Sequence, residues 1–177
     1  PFIVGMDHQK SFGFSKGYLV DEKKLSESIY KAFQSCIPKG SNFNNYTFFS
    51  NITDRNLVTR KSYSELNTGK LGITKKDIRR LFNKSVSESK LKGKYLVHSE
   101  PIHFRINEKI IGNPIGERCD KFGISLFNLM VTRKYQATLQ KCFKEKRINI
   151  TNFFETGLAS AMGNLSEFEK KDGVASI

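Results

Sequence analysis

The sequence predicts a mixed α/β fold, on three observations. Apolar residues recur at helical spacing in several segments, and strand-like runs separate those segments. One such run, residues 124–131, is nearly all apolar, as a strand covered on both faces would be. The full order of patterns is strand, helix, strand, strand, helix, strand, strand, helix, strand, helix, strand, an interleaving typical of α/β and α+β chains.

Residues 2–4 are a short apolar strand candidate, followed by a stretch punctuated by Gly5, Gly13 and Gly17 that predicts a tight turn. Asp21 is a good N-cap, and Leu25, Ile29, Phe33 and Cys36 then follow on one helical face until Pro38 and Gly40 end it. A polar loop at 42–45 leads to strands at 46–49 and 57–61, and the polar stretch 62–72 reads as a loop. The clearest local signal begins at Ile73. Thr74 is an N-cap with Asp77 three residues on, and Ile73 and Ile78 can form a hydrophobic staple. Ile78, Leu81, Phe82 and Val86 make the buried stripe, while Lys75, Lys76, Arg79, Arg80 and Lys84 make the outer face. Lys75 and Lys76 oppose the helix dipole there.

Residues 94–107 read as one long or broken strand, with Pro101 marking an edge, kink or bulge. Beyond it Ile102, Phe104 and Ile106 alternate with His103, Arg105 and Asn107, which predicts a half-buried strand with a wet face. Gly112, Pro114 and Gly116 form a loop before the apolar strand. Thr132 opens a helix lined by Tyr135, Leu139, Cys142 and Phe143, and a strand follows at 148–154. Leu158, Ala161, Met162 and Leu165 mark a short helix, and residues 174–177 read as a strand cut short, as expected of a piece of a longer protein.

The 177 residues carry 30 Lys and Arg against 17 Asp and Glu, a net charge of +13 that would attract polyanions. The lysines are scattered and form no run, which favours a solvated surface. Cys36, Cys119 and Cys142 lack metal or redox spacing and read as reduced, mostly buried thiols. No apolar run reaches bilayer length and no secretory signal opens the chain.

Reactive chemistry is not evident. The sequence has no Gly-rich phosphate loop and no nucleophile elbow, and its three histidines are isolated. Glu117 and Asp120 read as loop charges balancing Arg118 and Lys121. An RNA-binding aromatic signature, a zinc finger and a basic zipper are all absent. The residues therefore describe a basic, non-catalytic α/β piece with no cofactor or metal site of its own and no specific nucleic-acid partner.

Lys16-Gly17-Tyr18-Leu19-Val20-Asp21, Ile73 to Ile78, His98 with Pro101 and Phe104, Asn113-Pro114-Ile115-Gly116 and Leu158-Ala159-Ser160, taken in order, resemble the FtsA family of actin-like bacterial division proteins. Lys16-Gly17-Tyr18-Leu19-Val20-Asp21 is similar to the family's Lys-Gly, apolar, Asp stretch before a helix. Ile73 to Ile78 resembles the helix entry of its inserted subdomain, 1C, and His98, Pro101 and Phe104 resemble a strand pattern within it. Asn113-Pro114-Ile115-Gly116 is similar to its Asn/Asp-Pro-x-Gly loop, and Leu158-Ala159-Ser160 to a Leu-Ala-Ser-Ala helix start. Residues 173–177 resemble the strand that carries the family's second phosphate loop. The chain departs from the pattern at Cys119, at Lys121 and over 62–72.

The resemblance implies an architecture. Residues 1–43 and 132–177 would be two parts of subdomain 1A, with an actin-like, RNase H-like fold. Residues 44–131 would be the 1C insert, a strand-helix-strand-strand (SHS2) unit. It also implies that ATP and Mg belong to the full-length parent, that FtsZ binding and the C-terminal helix on the anionic inner membrane lie in absent parts, and that this piece does not bind ATP tightly. Self-association and contact with later division proteins such as FtsN would fall to 1C, at the cytoplasmic face of the inner membrane at the division site. His103, Phe104, Arg105 and Asn107 are the candidate contact residues. Two alternatives are a pilus-assembly protein of the PilM type and a basic nucleic-acid-binding domain.

Overall fold

A computed structural model describes residues 3, 5–38, 40–69 and 72–172, and has a mixed α/β architecture. The chain divides into a discontinuous unit, Pro1–Asn56 with Thr132–Ile177, and a contiguous unit, Leu57–Val131. Of the strand expected at 2–4 only Ile3 is described, exposed and outside any strand, and the strand expected at 174–177 lies outside the described residues. Among the described residues no helix is long and apolar enough to cross a membrane.

The discontinuous unit opens on a small hairpin, β1 (Phe14–Ser15) with β2 (Tyr18–Leu19). Lys16 and Gly17 form its two-residue turn, with φ of 50° and 80°. Two successive left-handed residues make the kind of turn that matches strand twist in a hairpin. Helix α1 (Glu22–Cys36) follows, its first turn closed by the Asp21 carboxylate, which accepts from the Lys24 N–H at 3.0 Å. Leu25 is buried and Ile29, Phe33 and Cys36 are half-buried along the expected face. The small Ser26 is buried as well, and its Oγ donates to the Cys142 carbonyl at 2.8 Å. That bond ties α1 to α3 (Arg133–Lys144).

The polar loop expected at 42–45 contains one turn of 3-10 helix, Phe43–Asn45. Strand β3 then covers Phe48–Ile52, starting two residues later than the sequence suggests. It pairs in parallel with β8 (Ile150–Glu155), from Phe48 opposite Ile150 to Ile52 opposite Glu155. This pairing corrects the boundary expected between 43 and 44. Residues 44–56 belong to the discontinuous unit because the hydrogen-bond partners of β3 lie beyond residue 149. Phe33 packs edge-on against Phe48, with ring centroids 5.0 Å apart, and against Phe143 at 6.4 Å. Two helices follow: α4 (Thr156–Asn164), which the Glu155 carboxylate caps, and α5 (Glu167–Asp172), not among the expected elements although Ser166 and Glu169 form a capping box at its start.

The contiguous unit is a sheet of four strands in the order β4 (Val58–Asn67), β7 (Lys121–Thr132), β5 (Lys94–Ile106), β6 (Lys109–Ile111), with helix α2 (Lys75–Ser89) on one face. Strands β4 and β7 pair antiparallel, from Val58 opposite Met130 to Asn67 opposite Lys121. Residues 62–67, expected in a loop, are therefore strand. Their polar composition hid a period of two: Ser62, Ser64 and Leu66 are inward, and Tyr63, Glu65 and Asn67 are exposed. Small serines fit under a helix, and Ser62 Oγ lies 2.9 Å from Ser85 Oγ of α2.

Strand β5 (Lys94–Ile106) runs unbroken through Pro101. Strand β6 (Lys109–Ile111) pairs only with Phe104–Ile106, so Pro101 sits where β5 has no described strand on its outer side. That is the edge setting a proline tolerates. Asn107 and Glu108, with φ of 46° and 71°, turn β5 into β6. A Glu in a left-handed position is uncommon, and this hairpin was not visible in the sequence.

The core of this unit gathers Ile73, Leu81, Cys119, Phe122, Ile124 and Leu126, with Ile78, Phe82, Val86, Phe104 and Ile106 packed around it. Asn128 is wholly buried in β7 and fully bonded. Its Nδ2 donates to the Arg60 carbonyl and to Ser62 Oγ, and its Oδ1 accepts from Ser99 Oγ at 2.8 Å. It thus links β4, β7 and β5 through one side chain.

Candidate protein-contact surface

The face of the sheet away from α2 carries three of the four contact candidates. Alternation decides which side chains reach it. On β5, Phe104 and Ile106 pack on the core side, so His103 and Arg105 point the other way. On β4, Ser62, Ser64 and Leu66 lie under α2, so Tyr63 and Glu65 share the open face. Ile110 of β6 is paired with Arg105, stands on the same side, and is 63% exposed.

Phe104 does not belong to this surface. Its ring stacks on Phe122, with centroids 5.9 Å apart and planes 22° apart, and it is half-buried against the core. The expectation that it contacts a partner is corrected by that packing. His103 and Arg105 are also less free than a wet strand face suggests, since both are half-buried. His103 Nε2 lies 2.9 Å from Ser125 Oγ. The Arg105 guanidinium sits 5.6 Å from the centre of the Tyr63 ring, and its Nε is buried with no hydrogen-bond partner among the described residues. Asn107 is exposed in the β5–β6 turn.

Tyr63 organises this face. Its ring lies over Gly123 of β7, where a β carbon would fall 2.9 Å from ring atoms Cε2 and Cζ. Only glycine leaves room for the ring to lie flat on the sheet. The Tyr63 hydroxyl donates to the Glu65 carboxylate. Burial pushes the phenol up to about 12, the Glu65 bond and charge add to that rise, and Arg105 opposes it. Tyr63 is neutral at physiological pH and holds its donor role. Around it, Glu65, Arg105, Asn107, Glu108 and Lys121 complete a shallow cavity of about 190 Å³. Two cations and two carboxylates alternate about an aromatic floor. That arrangement suits contact with a polypeptide, where an aromatic and an arginine anchor and polar groups form the rim.

Tyr63, Glu65, Glu108 and Lys121 were missed as surface residues. The alternation from 62 to 67 could have found the first two, had the serines been read as inward residues.

The residues that carry the resemblance lie in turns, at a helix cap, on β5 and at the start of α4. Lys16 and Gly17 turn a hairpin and Asp21 caps α1. Pro101 is exposed on β5. Asn113 Oδ1 accepts from the Ile115 N–H, Pro114 is buried, and Gly116 (φ 88°) bonds through its N–H to the Ile73 carbonyl at 2.9 Å. This turn therefore braces the start of α2. Leu158, Ala159 and Ser160 lie in the first turns of α4, with the Leu158 N–H held by Glu155. Among the described residues, no group of three His, Cys, Asp or Glu side chains could hold a metal ion. His98 is paired with Glu100 at 3.3 Å, and the three cysteines are free, with Cys119 and Cys142 buried.

No family model matches the chain, and no curated protein matches it in sequence.

Proposed function

We propose that this chain is part of an FtsA-like scaffold of bacterial cell division, and that its contiguous unit works through protein contact rather than chemistry. The observation that carries this reading is an arrangement. A contiguous unit, Leu57–Val131, of one strand, a helix and three further strands, the short β6 being an addition to the strand-helix-strand-strand order, interrupts a discontinuous unit whose parallel strands come from either side of it in the chain. On this reading Leu57–Val131 corresponds to the SHS2-type 1C insert and the discontinuous unit to the actin-like 1A part. The motif residues support it by their places: a hairpin turn, a helix cap, a turn bracing α2 and the opening of α4. ATP and Mg would belong to the parent, as would FtsZ contact and membrane anchorage, while self-association and binding of late division proteins such as FtsN would use the open sheet face.

Arg105 is the residue to test. Arg105→Glu reverses a half-buried charge beside Glu65 and Glu108 and removes the cation from the Tyr63 ring. Self-association by sedimentation and capture of an FtsN cytoplasmic segment are expected to weaken roughly tenfold, the loss typical of one anchor residue. Unchanged sedimentation and unchanged capture together would refute the assignment.

A further inference from the structure

We propose that the outer face of α2 is a docking site for an acidic helical segment of a partner protein. The face is built from Lys75, Lys76, Arg79, Arg80 and Lys84, all exposed, with Asn83 and Ser87 between them. Lys76, Arg80 and Lys84 stand four residues apart and so form one row along the helix. The contiguous unit as a whole carries 15 Lys and Arg against 7 Asp and Glu, so +8 of the chain's +13 sits in fewer than half its residues.

The helix's own acids meet only part of this charge: Lys84 pairs with Glu88 and donates to the Glu65 carbonyl at 2.8 Å, and Asp77 lies within electrostatic reach of Arg80 and Lys76. The helix has two acidic residues, and both are engaged. Asp77 closes the capping box, its Oδ2 accepting from the Thr74 N–H at 3.0 Å. Glu88 accepts from Ser64 Oγ and lies 3.9 Å from Lys84 Nζ. Lys75, Lys76, Arg79 and Arg80 make no hydrogen bond or ion pair with any described residue. Lys75 and Lys76 also sit in the first turn, where the helix dipole disfavours cations. A sequence that supplies a full capping box and then sets two cations beside it departs from its own local logic, and such departures mark function.

The surroundings select the occupant. The apolar stripe of α2 is already buried in the core, so no aromatic or aliphatic side chain on the outer face can enter a bilayer, as peripheral helices require. The same absence leaves no platform for stacking bases. Carboxylates at four-residue spacing on a facing helix would match the row of cations, and Arg79 and Arg80 can each take one in two-point geometry. Without an apolar anchor the complex is weak and sensitive to salt.

The test uses the whole chain and a labelled synthetic peptide, helical, with glutamates at four-residue spacing. Fluorescence anisotropy is read at about 50 mM and about 200 mM salt. Arg79→Glu with Arg80→Glu is expected to weaken binding about tenfold or more, and Arg79→Gln with Arg80→Gln by a smaller factor. Lys23→Glu with Lys31→Glu on the exposed side of α1 makes the same change in net charge and is expected to cost less than about threefold. Circular dichroism checks that each variant is folded. Equal losses in both double variants would reduce the effect to net charge and overturn the proposal. So would an absence of peptide binding, or tighter Arg79- and Arg80-dependent binding to a DNA duplex or to phosphatidylserine-containing vesicles.

Discussion

Helices α2 and α3 begin in opposite ways. At α2 every group that satisfies the free N–H donors is local: Thr74 Oγ1 accepts from the Asp77 N–H, and the Asp77 carboxylate returns the bond. At α3 the residue in the cap position, Thr132, makes no side-chain cap bond. Asp54, 78 residues earlier, does the work instead. Its Oδ2 accepts from the Thr132 N–H at 2.6 Å and its Oδ1 from the Asn56 N–H at 2.9 Å. Asp54 is 8% exposed, a buried carboxylate held by backbone donors. Its charge also adds to the burial that raises the Tyr135 phenol.

The same contrast runs through the sheets. In the contiguous unit β4 and β7 pair antiparallel over ten residues, with a helix closed over one face. In the discontinuous unit β3 and β8 pair in parallel across nearly a hundred residues of chain, and the outer-face rings Phe49 and Phe154 remain 56% and 45% exposed. One unit is organised by neighbours in sequence and the other by segments that meet only when folded.

Substitutions at three positions break or sharpen this comparison. The largest effect is expected at the core of the contiguous unit. Phe122 is fully buried, and Phe122→Ala should cost about 3–5 kcal/mol in denaturant unfolding. A loss below about 1 kcal/mol would mean that the core is not where the packing puts it. Next is the remote cap. Asp54→Ala leaves the Thr132 and Asn56 N–H groups without their acceptor and should cost about 2 kcal/mol, with Asp54→Asn milder. If the two variants matched the parent, α3 would have no need of a distant cap. The smallest effect is spectroscopic. Tyr63 should ionise near pH 12, and Glu65→Gln should bring that titration down, since the Glu65 charge raises it. The sign follows from the raised value: any stability from this shift is fully present below the ordinary phenol range near 10 and is lost as pH climbs through about 12. Ultraviolet absorbance of the ionised phenol measures it, and an unshifted Tyr63 in the Glu65→Gln variant would deny the bond.

Legibility followed the range of the interactions. The α2 cap, its buried stripe, the apolar β7 and the face of α1 could all be read directly, because each depends on residues within a turn or two, or on burial of a long apolar run. Strand 62–67 was hidden because two of its three inward residues are serines, whose place is set by Ser85 and Glu88 of α2. The β5–β6 hairpin was hidden because Glu108 takes a left-handed turn position that glycine or asparagine would have signalled. Of the contact candidates, His103 and Arg105 lie on β5 facing away from α2, and Asn107, expected at the strand's end, lies in the turn after it. Tyr63 was not among them, and Phe104, which could have faced either way, lies on the core side of β5, stacked on Phe122.

The sequence by itself determined the mixed α/β class, the capped basic helix α2, the apolar β7 and the alternating end of β5, since periodicity and capping are properties of a few consecutive residues. Only the tertiary structure decided that β3 belongs with β8, that Asp54 starts α3, and that Tyr63, Arg105 and Ile110 share one face. Each of those facts depends on residues distant in the chain, and their proximity is set by burial and strand pairing that no local pattern encodes.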